Sequence, residues 1–161
     1  MRDWLVGGAL VVGPEGVLLV QNRRPNGRLD WSPPGGVIDE GESLLEGLTR
    51  EVAEETGINV IKWRGPIYEI EAIAPGLGWR LRVEAHLAVD FGGDLALGDP
   101  DGIVIEAGYV PLVDAHDRLG GAPRWVREPF GEWLSEPWRG CRRFGYHIEG
   151  VDHRGLEVVR V

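Results

Sequence analysis

Apolar and polar residues alternate along much of the chain with the two-residue period that places every second side chain on one face of a β-strand. The longest such run, 79–89, puts five apolar residues on one face: Leu81, Val83, Ala85, Leu87 and Val89. Glycine, proline and aspartate separate it from shorter runs of the same kind. These runs predict strands at 4–12, 16–22, 58–63, 67–73, 103–110, 143–149 and 156–161, the last two forming a hairpin.

The hydrophobic period changes to that of a helix after residue 43. Ser43 and Glu46 have the spacing of a capping box, in which the serine side chain accepts a hydrogen bond from the first helical turn. Gly57 suits the left-handed conformation that ends many helices. At about 100° per residue, the apolar stripe of this predicted helix consists of Leu44, Leu45, Leu48 and Val52.

Two further helices are predicted nearer the C-terminus. Residues 111–119 form a short one, and residues 123–138 form an apolar helix that Pro129 and Pro137 break. Polar or glycine-rich composition predicts surface loops at 22–30 and 91–101.

The order of these elements indicates the fold class. Strands on both sides of a helix, with mixed spacing, favour an α/β (α+β) sandwich in which a mixed β-sheet lies between helices. A chain of 161 residues suits one sizeable core. We therefore expect a single domain over 1–161, in which 121–161 is a C-terminal extension without an assigned role.

Composition narrows the classes of partner. The net charge is −9, which disfavours attraction to a nucleic-acid backbone or an anionic membrane surface. No stretch approaches the roughly twenty apolar residues of a membrane span. Cys141 is the single cysteine, so a disulfide within the chain is excluded and a reducing compartment fits. We expect a cytoplasmic protein that binds neither nucleic acid nor membrane.

The predicted helix over 44–56 carries an acidic arc beside its apolar stripe. Glu51, Glu54 and Glu55 share this arc, and Mg²⁺ prefers the carboxylate oxygens that they offer. Arg50 lies one turn before Glu54 and can hold it through a charge-assisted hydrogen bond. Gly47 costs about 1 kcal/mol relative to alanine inside a helix, so we expect it to leave room for a metal-bound phosphate. The alternative is a solvated acidic face with ordinary ion pairs.

The acidic arc belongs to a longer motif. Residues 36–58 read GVIDEGESLLEGLTREVAEETGI and fit the pattern G-x5-E-x7-R-E-U-x-E-E-x-G-U, where U is an aliphatic residue. Every specified position is filled: Gly36, Glu42, Arg50, Glu51, Val52, Glu54, Glu55, Gly57 and Ile58. This pattern is the Nudix box, and the chain resembles the Nudix hydrolases.

The resemblance implies a chemistry and a set of site residues. Nudix enzymes use Mg²⁺ or Mn²⁺ to hydrolyse a pyrophosphate bond in a nucleoside diphosphate linked to another group. By position in the box, the expected metal ligands are Glu51, Glu54, Glu55 and the carbonyl oxygen of Gly35. Glu54 is also a candidate for activating water, and Arg50 and Glu42 are expected to brace the site.

Substrate-binding residues are less clearly marked in the sequence. Aromatic side chains able to stack on a base are Trp4, Trp31, Trp79, Tyr109, Trp125, Trp133 and Trp138. We expect Trp31 and Tyr109 to border the base. The family also uses acids downstream of the box, and here Glu106 precedes a segment similar to the family's E-A-x-W-V-P stretch. Asp99 and Asp101 are its rivals.

Several alternatives stay open at this stage. The substrate is expected to be a nucleotide-type small molecule, with nucleoside triphosphates, ADP-ribose, sugar nucleotides and dinucleoside polyphosphates all compatible. Some Nudix folds bind such ligands as effectors without cleaving them, and this non-hydrolytic module is the alternative to an enzyme. A homodimer is also open.

Overall fold

A computed structural model describes residues 1–161, which form ten strands and three α-helices. The strands are β1 Arg2–Leu10, β2 Val12–Gly13, β3 Gly16–Arg23, β4 Leu29–Ser32, β5 Gly35–Val37, β6 Asn59–Ala74, β7 Trp79–Gly92, β8 Val104–Val110, β9 Arg142–Glu149 and β10 Glu157–Arg160. The helices are α1 Leu44–Thr56, α2 Leu112–Arg118 and α3 Arg124–Ser135. None of these helices has the length and apolarity needed to cross a membrane.

The strands form two sheets. The larger one is mixed, with the order β10-β9-β6-β7-β1-β5, and its parallel pairs are β1–β7 and β6–β9. The smaller one is built on β3, with β8 along one edge and β2 and β4 along the other. Since α1 covers one face of the mixed sheet and α3 the other, the predicted sandwich is confirmed.

Alternation at the end of β1 and in the residue that follows it divides the core into two apolar clusters. Ala9 and Val11 face α1, whereas Leu10 between them faces α2 and α3. Under α1, Leu48 and Val52 are fully buried. Burial of a side chain of this size stabilises the fold by about 1.5–3 kcal/mol, so the apolar stripe suffices to fix α1 on the sheet.

Helix α1 has the predicted ends. The Ser43 side chain accepts a hydrogen bond from the backbone N–H of Glu46, and Gly57 follows the last turn with φ of 81°. The predicted stripe was too wide, because Leu45 lies at its edge in the first turn and is 39% exposed. Glu55 is only 4% exposed. The acidic arc therefore extends towards the buried side of the helix.

The prediction of a broken helix over 123–138 is wrong. Helix α3 runs unbroken through Pro129, and only Pro137 lies beyond its end. The proline ring removes one backbone hydrogen bond, the one that the carbonyl of Trp125 would accept. Burial of Phe130 and Trp133, which are 0% and 6% exposed, offsets that loss. The predicted hairpin that follows is confirmed, because β9 and β10 pair in antiparallel register.

Two other local predictions need correction. The expected strands 58–63 and 67–73 are one strand, β6, which pairs with β7 on both sides of residues 65–67 and changes register across them. The expected loop at 22–30 is shorter than predicted. Asn22 and Asp30 belong to paired strands, and both side chains are 6% exposed. Their polarity reflects a buried hydrogen-bond network, which sequence pattern alone does not distinguish from a solvated loop.

Candidate active site

Arg50 joins the carboxylates of the box into one network. Its guanidinium donates two hydrogen bonds to Glu42, at 2.8 and 2.9 Å, and one each to Glu54 at 3.2 Å and Glu51 at 3.3 Å. Asp39 lies 3.2 Å from the same group. The hydrogen bonds from Arg50 lower the pKa of Glu42. One arginine thus holds the loop before α1 to the acidic arc of the helix.

Glu55 lies outside this network and is the most deeply buried carboxyl group of the helix. Its one backbone donor is the N–H of Gly35, at 3.3 Å, and it contacts no cation. Its pKa is raised to about 9, mainly by burial and then by the nearby charges of Glu51 and Asp99, whereas the Gly35 hydrogen bond acts in the opposite direction. A carboxylate in this position requires a compensating cation in order to ionise near neutral pH.

Glu51 fills the space beside Gly36. A Cβ atom on Gly36 would lie 2.8 Å from the Glu51 carboxyl carbon, a distance too short for nonbonded carbon atoms. Burial raises the pKa of Glu51, although the charge of Arg50 opposes the shift. Gly36 is therefore required because the carboxylate approaches the backbone closely.

Replacing Gly36 with alanine is expected to displace the Glu51 carboxylate and leave the fold intact. A displacement of about 1 Å in a catalytic group costs on the order of 100-fold in rate, so we expect a loss of that size in kcat/KM. Gly92→Ala is the matched control, because a Cβ there meets open space. Equal activity of both variants would show that the position of Glu51 does not matter.

Gly47 has a different role from the one predicted. A Cβ atom there would lie 2.8 Å from Cδ1 of Ile38 and 3.0 Å from Oε1 of Glu42. The glycine lets the loop before α1 pack closely on the helix. The space expected for a phosphate is occupied by these two side chains, so the phosphate explanation is wrong.

The donor set beside Gly35 and Gly36 fits a hard divalent cation. Glu51 and Glu55 form a close pair of carboxyl groups that would carry like charges if both were ionised, and such pairs in proteins are commonly compensated by metal ions. The side chains as they stand do not gather three potential ligands around one point. An oxygen of Glu54, the third carboxylate of the arc, is turned towards Arg50, 3.2 Å away. Glu51 and Glu55 are thus the two carboxyl groups of the box that the structure brings together.

Metal binding is expected to stabilise the protein more strongly as pH rises. The carboxyl of Glu55 ionises near its ordinary value of 4.5 when unfolded but near 9 when folded. Between these values the metal-free fold holds a proton that the unfolded chain has released, so this group lowers stability as pH rises. A divalent cation replaces that proton. The rise in Tm caused by MgCl₂ should therefore increase from pH 6 to pH 9, and a pH-independent rise would contradict this assignment.

A cleft of about 220 Å³ opens next to the same two glycines. Its apolar lining comes from the mixed sheet and from the first turn of α3. Residues from these elements that line the cleft are Val6, Gly8, Tyr68, Ile70, Leu81, Val83, Trp125 and Val126. The lining also has polar residues and glycines: Asn22, Arg24, Ser32, Gly35 and Gly36. Gly35 and Gly36 thus contact the acidic residues of α1 and also border the cleft.

The two aromatic residues expected to border the base lie outside this cleft. Trp31 packs against the core that faces α3, and Arg118 covers its ring at 5.0 Å. Tyr109 packs against the core under α1. Neither residue lines the cleft, whereas Trp125 does. Trp125 lies in the first turn of α3, within the region predicted to be a broken helix, so the sequence pattern did not favour it over the other tryptophans.

Of the three downstream acids, Asp99 acts on the acidic cluster. Its carboxylate accepts backbone hydrogen bonds from Ile103 at 3.0 Å and Val104 at 2.9 Å, and its charge contributes to the raised pKa of Glu55. Glu106 is exposed on β8 opposite Gln21, and Asp101 is exposed in the loop. The structure does not bring Glu106 to the cluster.

Comparison with known proteins agrees with this geometry. The family model described as the NUDIX domain matches residues 3–133. The chain belongs to the Nudix family. It is 34% identical over 130 residues to the putative mutator protein MutT4 of Mycobacterium tuberculosis, covering 76% of this chain and 51% of that protein. It is 43% identical over 51 residues to the phosphatase NudJ of Escherichia coli, covering 32% of this chain and 33% of that protein.

Solved structures of Nudix proteins share the fold. A MutT protein from Bacillus halodurans aligns with a TM-score of 0.71 at 20% identity, covering 96% of this chain and 97% of that one. A MutT Nudix hydrolase from Burkholderia pseudomallei aligns with a TM-score of 0.63 at 25% identity, covering 84% of this chain and 98% of that one. The Nudix chain described here spans about half the length of MutT4 and a third of NudJ.

Proposed function

We propose that this Nudix protein is a metal-dependent pyrophosphohydrolase that cleaves a nucleoside diphosphate linked to another moiety. The observation that carries the proposal is the meeting of the acidic cluster and the cleft at Gly35 and Gly36. A diphosphate located there has the carboxylates of α1 on one side and the cleft, for its organic group, on the other. The names of its relatives, a mutator protein and a phosphatase, are consistent with this activity.

Glu51 and Glu55 would hold the cation, for which we propose Mg²⁺ or Mn²⁺, and the carbonyl oxygen of Gly35 is a further candidate ligand. When bound, such an ion screens the diphosphate charge and lowers the pKa of a coordinated water. Arg50 positions the surrounding carboxylates through its hydrogen bonds to Glu42 and Glu54. The remainder of the catalytic effect then comes from the orientation of groups that are already in place.

Glu54 is the carboxylate that we assign to water activation. Its side chain is 32% exposed, and its Oε2 atom accepts a hydrogen bond from Arg50. The Oε1 atom has no partner in the protein and is free to accept a proton from water. Asp99 provides a second carboxylate whose charge reaches Glu55, and it is a positioning residue for the loop that carries it.

Trp125 is expected to contribute binding energy for the organic group of the substrate. It lines the cleft and is half-buried, with its ring 6.0 Å from that of Trp79. Stacking of a base on an aromatic ring contributes about 1–3 kcal/mol, so Trp125→Ala should raise KM by roughly tenfold or more with a smaller change in kcat. Trp31→Ala is the control, because Trp31 lies outside the cleft. A larger effect of Trp31→Ala on KM would restore the interpretation made from the sequence.

The experiment that tests the proposed function is a product screen with Mg²⁺. Nucleoside triphosphates, ADP-ribose, sugar nucleotides and dinucleoside polyphosphates are incubated with the protein, and products are separated by chromatography. Cleavage between two phosphorus atoms of one class, absent in Glu54→Gln, is the expected result. Saturable binding of a nucleotide without cleavage would instead identify a non-hydrolytic module.

Composition supports a proposal for the cellular compartment and for the kind of substrate. An acidic chain with one exposed free cysteine fits a reducing compartment, and we propose the cytoplasm. Its net charge of −9 opposes binding to nucleic acid, so we propose free nucleotides as substrates.

A further inference from the structure

A polar network interrupts the apolar lining of the cleft. Asn22, which is 6% exposed, donates both hydrogens of its side-chain amide: one to Asp30 at 3.0 Å and one to Ser32 at 2.9 Å. Asn22 and Ser32 line the cleft, whereas Asp30 lies behind them. The network belongs to no part of the acidic cluster and is not used by the mechanism described above.

The orientation of the Asn22 amide is fixed by its neighbours. Arg24 donates two hydrogen bonds to the Asp30 carboxylate, at 2.8 and 2.9 Å, which holds Asp30 as an ion-paired acceptor. A carboxylate accepts hydrogen bonds only, so the amide nitrogen of Asn22 must face it. The amide oxygen therefore points away from Asp30.

That oxygen has no donor within the protein. Asn22 Oδ1 takes part in none of the side-chain hydrogen bonds, and the structure contains no fully buried polar side-chain atom without a partner. The oxygen is thus accessible, and for a residue 94% buried on the wall of the cleft the access is through the cleft. Leaving a largely buried acceptor unpaired costs free energy, which a ligand N–H would recover.

Ser32 supplies the complementary group. Its hydroxyl oxygen accepts from Asn22, and its own hydrogen has no acceptor in the protein. A free acceptor and a free donor therefore stand side by side on the wall of the cleft. The register between β3 and β8 also shifts at Gln21 and Asn22, and such irregularities re-aim side chains next to functional sites.

We propose that Asn22 and Ser32 recognise the edge of a nucleobase on which an N–H donor lies next to an acceptor. Asn22 Oδ1 accepts from the N–H, and the Ser32 hydroxyl donates to the neighbouring ring nitrogen or carbonyl oxygen. The substrate is then selected by its base, with Asp30 and Arg24 as positioning residues that keep the Asn22 amide in one orientation. This inference rests on the proposed function, because it takes the cleft as the binding site of the organic group.

Matched nucleotide pairs test the inference on the wild-type protein. ATP is compared with purine riboside triphosphate, GTP with its 1-methyl derivative, and CTP with the analogue lacking the 4-amino group. A site built around a substrate N–H rejects the analogue without it strongly, so for the preferred base we expect kcat/KM to fall by at least about 100-fold. Values within twofold for every pair would overturn the inference.

Variants separate recognition from structural damage. In Asn22→Ala, kcat/KM for the preferred nucleotide should fall to the level of its analogue, and the value for the analogue should stay unchanged. Ser32→Ala, at a half-buried position, should reduce the discrimination in the same way. Arg23→Ala, an exposed neighbour on β3, is the control. Equal losses for both members of a pair would mean that Asn22 only supports the fold.

Binding measurements distinguish failure of this inference from failure of the proposed function. If no compound is cleaved, the hydrolase proposal fails, and dissociation constants for the monophosphates of the same three base pairs then test the inference alone. Tighter binding of one parent monophosphate than of its analogue by at least tenfold, lost in Asn22→Ala, supports it. Equal binding within all three pairs, or binding of none of these monophosphates, overturns it.

Discussion

Replacing Glu55 with glutamine is expected to reduce turnover by about a thousandfold, the scale reported for removing one electrostatic group from an active site. The same change should raise the Tm of the metal-free protein at pH 8. Glutamine keeps the oxygen that accepts from Gly35 and lacks the charge, so the variant loses the cation site but also the penalty of a buried carboxyl group.

The pH dependence makes this prediction specific. At pH 5 the penalty is small, because this pH is close to 4.5, the ordinary pKa at which the carboxyl of the unfolded chain ionises. The two proteins should therefore melt at similar temperatures at pH 5. The difference should increase up to about pH 9. Glu46→Gln, on the exposed part of the first turn, is the control and should change neither activity nor this profile. Wild-type turnover in Glu55→Gln would remove Glu55 from the site.

Replacing Arg50 with lysine is expected to reduce kcat/KM by about 100-fold, which corresponds to misplacing a catalytic group by about 1 Å. A lysine ammonium is a point charge and cannot donate in parallel to Glu42 while also reaching Glu54 and Glu51. The loop before α1 and the carboxylates of the helix then lose their common partner, and the Tm should fall as well.

The control for this variant is Arg64→Lys, because Arg64 is exposed and forms no ion pair. Activity is measured over a range of MgCl₂ concentrations. If Arg50 positions the metal ligands, the variant should require more Mg²⁺ for half-maximal activity. An unchanged Mg²⁺ requirement together with a lower Tm would limit Arg50 to a structural role.

The local part of the fold could be predicted from the sequence because short-range interactions determine it. Ser43 and Gly57 end α1 where capping chemistry requires, and the alternation over 79–89 marks most of β7. The carboxylates and Arg50 were also recognisable, since a fixed spacing on one helix places them on one arc. Their chemistry is a property of the motif and needs little tertiary information.

The cleft could not be predicted because its walls come from distant parts of the chain. Trp125 reaches it from the first turn of α3, a helix that packs on the core of the distant mixed sheet through Phe130. Asn22 lies in a polar segment, 22–30, that has the composition of a surface loop, but its hydrogen bond to Asp30 makes it part of a buried network. Tertiary packing outweighed local propensity at each of these positions.

The depth of Glu55 is a third feature that requires the structure. The motif identifies a glutamate at this position, but its raised pKa depends on how closely Gly35 and Glu51 pack around it. The same packing places the acidic cluster against the cleft. Gly35 and Gly36 of β5 therefore link the raised pKa of Glu55 to the position of the acidic cluster beside the cleft.

The most direct test of the central claim is a crystal structure with Mg²⁺ and a nucleotide whose bridging oxygen between the phosphorus atoms is replaced by a methylene group. We predict that the ion contacts Glu51 and Glu55, that the diphosphate analogue lies beside Gly35 and Gly36, and that the base enters the cleft next to Trp125. A nucleotide bound on another face of the molecule, or an ion held away from Glu51 and Glu55, would contradict the claim that these elements form one active site.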